Sequence, residues 1–103
     1  MNKEFQLKYL PSFYRDLDKI INYIKYELKN TIAAKKLLEE IEQEIEKRKY
    51  NPNIYEKYKS SKKRKNVYYK IHVKNYIIFY VVEGNVIEIR RILYSRRDFK
   101  KLI

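Results

Sequence analysis

The apolar run Tyr76–Val82, with the sequence YIIFYVV, restricts the fold of this chain more than any other segment. Both faces of a strand built from these residues must be covered, because successive side chains point to opposite faces. Tight turns are predicted on both sides of the run, at Lys74–Asn75 and Gly84–Asn85. Since short turns join antiparallel neighbours, we expect the run to be the middle strand of an antiparallel meander.

The other strands are predicted from alternation and from turn residues. The strand before the run has Val67, Tyr69, Ile71 and Val73 on one face and Tyr68, Lys70, His72 and Lys74 on the other. The strand after it covers Val86–Leu93. A further short strand is predicted near the N-terminus, where Phe5, Leu7 and Tyr9 alternate with their neighbours until Pro11 stops the strand.

Two amphipathic helices are predicted between the first strand and the meander. The first runs from Pro11 to about Leu28 and has the apolar stripe Phe13, Leu17, Ile20, Ile21, Ile24 and Leu28, with charged residues such as Asp16 mainly on the other side. The second covers roughly Ile32–Lys49 and has the stripe Ala34, Leu37, Leu38, Ile41 and Ile45. The short break at Asn30–Thr31 makes the pair an antiparallel hairpin, and Tyr50–Asn66 is predicted to be a long loop.

The apolar stripes of both helices need a common cover, and one face of the sheet supplies it. We therefore predict the α+β fold class, with an N-terminal strand, an antiparallel helix hairpin and a three-stranded antiparallel meander, and with both helices packed on one sheet face. No repeat and no second domain is visible, so residues 1–103 are predicted to form a single domain.

Positive charge is concentrated in the second half of the chain. The 103 residues include 25 Lys and Arg against 13 Asp and Glu, which gives a formal net charge of +12. Residues 1–50 contain 11 basic and 9 acidic residues, whereas residues 51–103 contain 14 and 4. This asymmetry favours a polyanionic partner for the second half, with nucleic acid first and an acidic protein next.

Several classes of protein are excluded by composition. The chain has no cysteine and a single histidine, His72, so we expect no disulfide, no metal site and no cofactor. The N-terminus lacks the long apolar stretch of a signal peptide, and no window approaches the roughly 20 apolar residues of a membrane span. We therefore expect a cytoplasmic protein with no membrane partner.

Four segments together resemble the RelE/ParE superfamily of bacterial toxins from type II toxin–antitoxin modules. They are LPSFYRDLDKIINYI, NTIAAKKLLEEIEQEI, VKNYIIFYVV and IEIRRILYSRRDFKKL, and each resembles a family block in the same order and at similar spacing. The resemblance covers essentially the whole chain. It implies a toxin whose cognate antitoxin, acidic and partly disordered, folds around it as its partner.

The resemblance implies alternative activities. RelE-like members cleave mRNA, usually on the translating ribosome, and thereby inhibit translation, whereas ParE-like members poison DNA gyrase. Fold alone does not decide between the two activities. We expect a metal-independent, ribosome-associated mRNA endoribonuclease; the alternatives are a non-enzymatic gyrase inhibitor and a decayed toxin that only binds its antitoxin.

RNA cleavage without a metal requires a proton acceptor, a proton donor and cations around the phosphorane. The candidate catalytic residues are the cations Lys70, Arg90 and Arg96 and the proton carriers His72 and Tyr94. We expect Lys70 and His72 to share one sheet face with Tyr68, and Arg90 to share a face of the last strand with Tyr94. By resemblance, Lys70 and Arg96 fall at or near basic positions of RelE-like ribonucleases.

Ile77 departs from the RelE-like pattern, in which arginine often follows the strand tyrosine. Isoleucine does not bind phosphate, so this position favours a ParE-like protein or a weakened nuclease.

Nucleic-acid contacts are predicted for Arg97 and for the basic run Lys62, Lys63, Arg64 and Lys65. The alternative is an ordinary solvated surface, in which Arg90 pairs with Glu88 or Glu83.

Overall fold

The computed structural model describes residues 5–50, 56–58 and 67–97 of the chain. The N-terminal part contains strand β1 (Gln6–Tyr9), helix α1 (Pro11–Asn22), a π-helical turn (Tyr23–Glu27) and helix α2 (Thr31–Tyr50). The C-terminal part contains strands β2 (Glu56–Lys57), β3 (Tyr69–Val73), β4 (Tyr76–Glu83) and β5 (Val86–Tyr94).

A five-stranded sheet with the order β1-β5-β4-β3-β2 forms one layer of the fold. Strands β3, β4 and β5 are the predicted antiparallel meander, and the run YIIFYVV lies in β4, at the centre of the sheet. Its residues from Ile77 to Val81 are buried. Strand β1 pairs in parallel with β5, with Gln6 opposite Val86 and Tyr9 opposite Ile89.

The prediction of a loop over Tyr50–Asn66 is wrong in two places. Tyr50 still belongs to α2, and Glu56–Lys57 form β2, which pairs antiparallel with the start of β3. Strand β2 has only two residues, both charged, so it shows no alternation of apolar and polar side chains. It forms by pairing with the edge of β3, which local sequence does not reveal. The rest of that segment lies outside the described residues.

Both helices pack on one face of the sheet, which we call the helix-covered face. The core on this face consists of Phe13, Ile24, Ala34, Leu37, Ile41, Ile45, Ile71, Val73, Ile78, Tyr80, Ile87, Ile89 and Ile92. Leu38, which the predicted stripe includes, is 39% exposed. The predicted α+β architecture, with the helix hairpin on one sheet face, is confirmed.

A π-helical turn ends the first helix of the hairpin. The Leu28 backbone N–H donates to the carbonyl of Tyr23, five residues earlier, at 3.0 Å. This wider turn rotates the following side chains away from the apolar stripe, so Tyr26 is 63% exposed and Leu28, predicted to be part of the stripe, is 55% exposed. The Asn30 side-chain oxygen then accepts the N–H of Ala33 at 3.0 Å and caps α2.

A β-bulge interrupts the pairing of β4 with β5. Phe79 lies opposite Arg91, but the next residue, Tyr80, lies opposite Ile89, so Arg90 is an extra residue on β5. The bulge reverses the alternation along β5. Arg91 and the residues after it therefore face the opposite way from what continuous alternation predicts.

The sheet face turned away from the helices, here called the open face, has a smaller apolar cluster. It consists of Ile77, Phe79 and Leu93, with Tyr58 and Tyr68 packed against them. The ring centroids of Tyr58 and Phe79 are 5.3 Å apart in an edge-on arrangement. Within the described ranges of the chain, no helix has both the length and the apolarity of a membrane-spanning segment.

Candidate functional site

Helix α1 covers a free edge of the last strand. Strand β1 pairs with residues 86–89 of β5, and beyond that point no strand formed by the described residues lies on this side of β5. The hydroxyl of Ser12 donates to the carbonyl of Arg90 at 2.7 Å, and the carboxylate of Asp16 accepts the N–H of Ile92 at 3.1 Å. Two side chains of α1 thus replace strand partners, which satisfies edge groups that would otherwise be orphaned.

Asp16 also binds the side chain of Arg91. The guanidinium donates from Nε and Nη2 to the two carboxylate oxygens at 2.6 and 2.8 Å. This hydrogen bonding raises the pKa of Arg91, against the lowering effect of partial burial. The prediction of Asp16 on the solvent side is wrong; the signal for its true position was its spacing, three residues after Phe13 and four before Ile20.

Lys70 and His72 lie next to each other on the open face, as the alternation of β3 predicts. Glu56 of β2 lies opposite Lys70. Its carboxylate is 3.5 Å from the Lys70 ammonium and 3.9 Å from Nε2 of His72. The Glu56 carboxylate therefore lies close to both candidate residues, but Glu56 was not among the predicted site residues.

The bulge residue Arg90 also points to the open face. Its guanidinium donates to Glu88 at 2.8 Å and to the hydroxyl of Tyr68 at 3.0 Å, and it lies 5.5 Å from the centroid of the Tyr68 ring. Burial lowers the pKa of Arg90, but the bonds to Tyr68 and Glu88 outweigh it and leave the pKa raised. Lys8 approaches the other oxygen of Glu88 at 3.8 Å. The predicted alternative of an Arg90–Glu88 pair is confirmed.

Tyr94 lies on the helix-covered side, away from Arg90. It is opposite Tyr76, whose ring packs against the core under the helices, and the two ring centroids are 6.0 Å apart. Burial, followed by the neighbouring hydroxyls of Tyr94 and Tyr23, raises the pKa of Tyr76. The prediction that Arg90 and Tyr94 share a face is wrong, because the bulge shifts the alternation by one residue between them.

Arg96 and Arg97 lie in the turn that follows β5, and both are exposed. The Ser95 N–H donates to the carbonyl of Asn75 at 2.8 Å, which fixes this turn beside the turn between β3 and β4. Lys70 is level with Arg91 across the sheet, so Arg96 lies roughly 10–15 Å further along the strand direction than Lys70. The structure therefore does not bring Lys70 and Arg96 together.

Of the remaining predicted positions, Ile77 is described by the structure and the basic run is not. Ile77 is 6% exposed on the open face, between its cross-strand partners His72 and Leu93. The predicted nucleic-acid-binding run lies outside the described residues: Lys62, Lys63, Arg64 and Lys65. Among the residues that are described, no group of three or more His, Asp or Glu side chains has the arrangement of a metal site.

The open face thus has paired charges around a buried apolar cluster. Lys70 pairs with Glu56, Arg90 pairs with Glu88, and Arg91 pairs with Asp16. An incoming phosphate would have to compete with these carboxylates. Paired charges of this kind suit contacts with a partner that has its own charged groups better than they suit capture of a phosphodiester.

Comparison with known proteins gives matches to toxin–antitoxin systems. A family model described as the ParE toxin of the type II toxin–antitoxin system parDE matches residues 7–99. A structure of the chromosomal ParDE system from P. aeruginosa is similar with 19% identity and a TM-score of 0.72, over 90% of this chain and 98% of that one. No curated protein matches the chain in sequence.

A second similar structure is the RelB–RelE antitoxin–toxin complex from Methanococcus jannaschii. The identity is 23% and the TM-score 0.52, and the match covers 93% of this chain and 99% of that one. At these identities the two structures establish a shared fold.

Proposed function

The chain belongs to the family of ParE toxins of type II toxin–antitoxin systems, and we propose that it inhibits DNA gyrase by binding to it and not by cleaving RNA. Gyrase is the target that the resemblance to ParE-like toxins implies. The observation that carries the proposal is the position of the two candidate proton carriers, His72 and Tyr94, on opposite faces of the sheet.

Metal-free RNA cleavage requires the proton carriers to converge on one phosphate. His72 is on the open face, and the partner of Tyr94 across the sheet, Tyr76, belongs to the helix-covered core. Side chains on opposite faces of a strand point away from each other. A single phosphodiester in contact with His72 is therefore out of reach of the Tyr94 hydroxyl, which favours a mechanism without proton transfer.

The charges of the open face support the same conclusion. A ribonuclease needs cations that are free to stabilise an anionic transition state. Lys70 and Arg90 are each engaged by a carboxylate, Glu56 or Glu88. Ile77, which stands where RelE-like ribonucleases often have arginine, fills an apolar cluster and contributes no charge.

A cognate antitoxin is the second partner that we propose. The net charge of +12 favours an acidic segment, and the exposed apolar side chains of the helix hairpin offer surface for it to cover. Both the antitoxin and gyrase would be met in the cytoplasm, which is the location that we propose.

One observation favours the ribonuclease as a second candidate. Glu56, His72 and Lys70 form a contiguous group in which a carboxylate adjoins an imidazole and an ammonium. Such a group is able to take a proton from a ribose 2′-hydroxyl with a cation close by. This candidate depends on His72, whereas gyrase binding does not.

Supercoiling and RNA cleavage by the purified toxin separate these functions. We expect wild-type toxin and the His72→Ala variant to inhibit supercoiling of relaxed plasmid by gyrase equally, and both to leave ribosome-bound mRNA intact. RNA cleavage that His72→Ala abolishes, with unchanged supercoiling, would establish the ribonuclease instead. No effect in either assay, together with antitoxin binding, would identify a decayed toxin.

A further inference from the structure

The end of the sheet where β5 stops has a surface of exposed rings and arginines. We call it the sheet-end surface and define it by Tyr76, Tyr94, Arg96 and Arg97. Tyr94 is 43% exposed. Its ring is in edge-on contact with the ring of Tyr76, and the two centroids are 6.0 Å apart. The last strand thus ends beside a pair of tyrosine rings.

The backbone holds the turn that carries the two arginines directly after Tyr94. The N–H of Arg97 donates to the carbonyl of Tyr94 at 3.0 Å, which folds the chain back in a turn directly after the strand. The bond from the Ser95 N–H to Asn75 holds the same turn against the neighbouring one. Arg96 and Arg97 are thus fixed close to Tyr94 by main-chain hydrogen bonds on both sides.

The arginines of this surface differ from the cations of the open face. Within residues 5–50, 56–58 and 67–97, no carboxylate forms an ion pair with Arg96 or Arg97, whereas Lys70 and Arg90 are both paired. Both arginines are exposed. An anionic ligand meets no competing carboxylate of the described chain at this point.

We propose that the sheet-end surface binds single-stranded DNA, with Arg96 and Arg97 on consecutive phosphates and with Tyr94 as a stacking surface for an unpaired base. Cations that follow a backbone beside exposed aromatic rings are the combination that binds single strands without sequence preference. The exposed ring favours an unpaired base, because the bases of a duplex already stack on each other. The choice of DNA over RNA rests on the proposed function, because an inhibitor bound to gyrase is held next to DNA. A carboxylate-rich protein segment would use the arginines but would not need a flat, exposed ring.

Fluorescence anisotropy of the full chain with labelled oligothymidylate tests the electrostatic half of this proposal. The variant Arg96→Ala/Arg97→Ala is compared with Lys35→Ala/Lys36→Ala, which removes the same charge from exposed positions of α2. Losing two phosphate contacts should reduce the steepness of log K against log salt by about 1.4, and the α2 control should leave it close to wild type. Equal effects of the two variants would show that binding depends on net charge alone, and this would overturn the proposed site.

Stacking is tested with a base-free strand and with ring-preserving variants. Tyr94→Leu should weaken oligothymidylate binding about 5- to 100-fold, while Tyr94→Phe should stay within about twofold. Neither variant should change the binding of an abasic oligomer of equal length. Thermal unfolding of each variant shows that the fold is retained. A similar loss with the abasic strand, or none with the bases present, would overturn the stacking role.

Competing ligands decide the remaining outcomes. Oligouridylate or an acidic peptide that binds more tightly than oligothymidylate, with the same dependence on Arg96 and Arg97, would overturn the assignment to DNA. The assay contains no gyrase, so it is independent of the supercoiling test. DNA binding without inhibition of supercoiling would support this site and exclude gyrase as the target. Inhibition of supercoiling without DNA binding would support gyrase as the target and exclude this site.

Discussion

Asp16 of α1 is joined to Arg91 of β5 by two hydrogen bonds of 2.6 and 2.8 Å, and the same carboxylate accepts the backbone N–H of Ile92. Together with Ser12, whose hydroxyl donates to the carbonyl of Arg90, this side chain fixes the helix hairpin to the part of β5 that carries the bulge. It therefore contributes to the position of the open face relative to the helices. Its side chain is only 10% exposed, so solvent screens the pair weakly.

Replacing Asp16 by alanine should destabilise the protein. The change removes the carboxylate that accepts two hydrogen bonds from Arg91 and one from the Ile92 N–H, and we expect a loss of about 2–4 kcal/mol in the free energy of unfolding. Asp18→Ala, on the exposed side of the same helix, is the control and should change it by less than about 0.5 kcal/mol. Denaturant unfolding measures both, and equal small effects would contradict the assigned role of Asp16.

The apolar cluster of the open face contributes to stability through Ile77. Truncation by Ile77→Ala removes buried contacts with Phe79 and Leu93, so we expect a loss of about 2–4 kcal/mol. Val67→Ala, at a residue that is 54% exposed, should cost less than about 0.5 kcal/mol. If the Ile77 variant were as stable as wild type, the open face would not be packed as described.

The stability of the folded protein is expected to depend on pH through Glu44. Its hydrogen bond from Lys47, followed by that from Arg48, lowers the pKa of Glu44 from its ordinary value of 4.5, despite partial burial. The folded state therefore binds this proton less readily than the unfolded state. The stabilisation is present above the unfolded pKa and is lost as the pH falls through the folded one.

Unfolding of wild type and Glu44→Gln at pH 7 and at pH 3 tests this linkage. The difference in stability between the two proteins should be larger at pH 7 and should shrink at pH 3, where the carboxylate is being protonated. Glu39→Gln, at an exposed position of α2, is the control and should show a small difference at both pH values. A difference for Glu44→Gln that stays constant with pH would refute the assigned pairing.

Most of the architecture is predictable from local patterns. The apolar run of β4, the turns on both sides of it and the stripes of the two helices each follow from side-chain periodicity, and together they give the fold class. The π-helical turn is not predictable in this way, because Ile24 and Leu28 have the ordinary helical spacing of four residues and nothing in that spacing signals the change in hydrogen bonding. For that reason the prediction wrongly includes Leu28 in the buried apolar stripe.

The candidate site is predictable only where strand alternation is uninterrupted. Lys70 and His72 share a face as expected because β3 is regular. The extra residue Arg90 breaks the alternation of β5 and separates it from Tyr94, and a bulge depends on pairing with β4 and not on local sequence. Glu56 reaches the site through a tertiary contact, which no periodicity reveals, whereas the spacing of Asp16 from Phe13 and Ile20 was a usable signal.

Regulated expression in bacteria tests the central claim most directly, with plasmid supercoiling and RNA ends measured in the same cells. Wild type is compared with His72→Ala/Tyr94→Phe, which removes both candidate proton carriers and keeps the ring of Tyr94. The proposal predicts that both proteins arrest growth and relax the plasmid, with no new RNA ends. New RNA ends and growth arrest with wild type, both absent with the double variant, would contradict it.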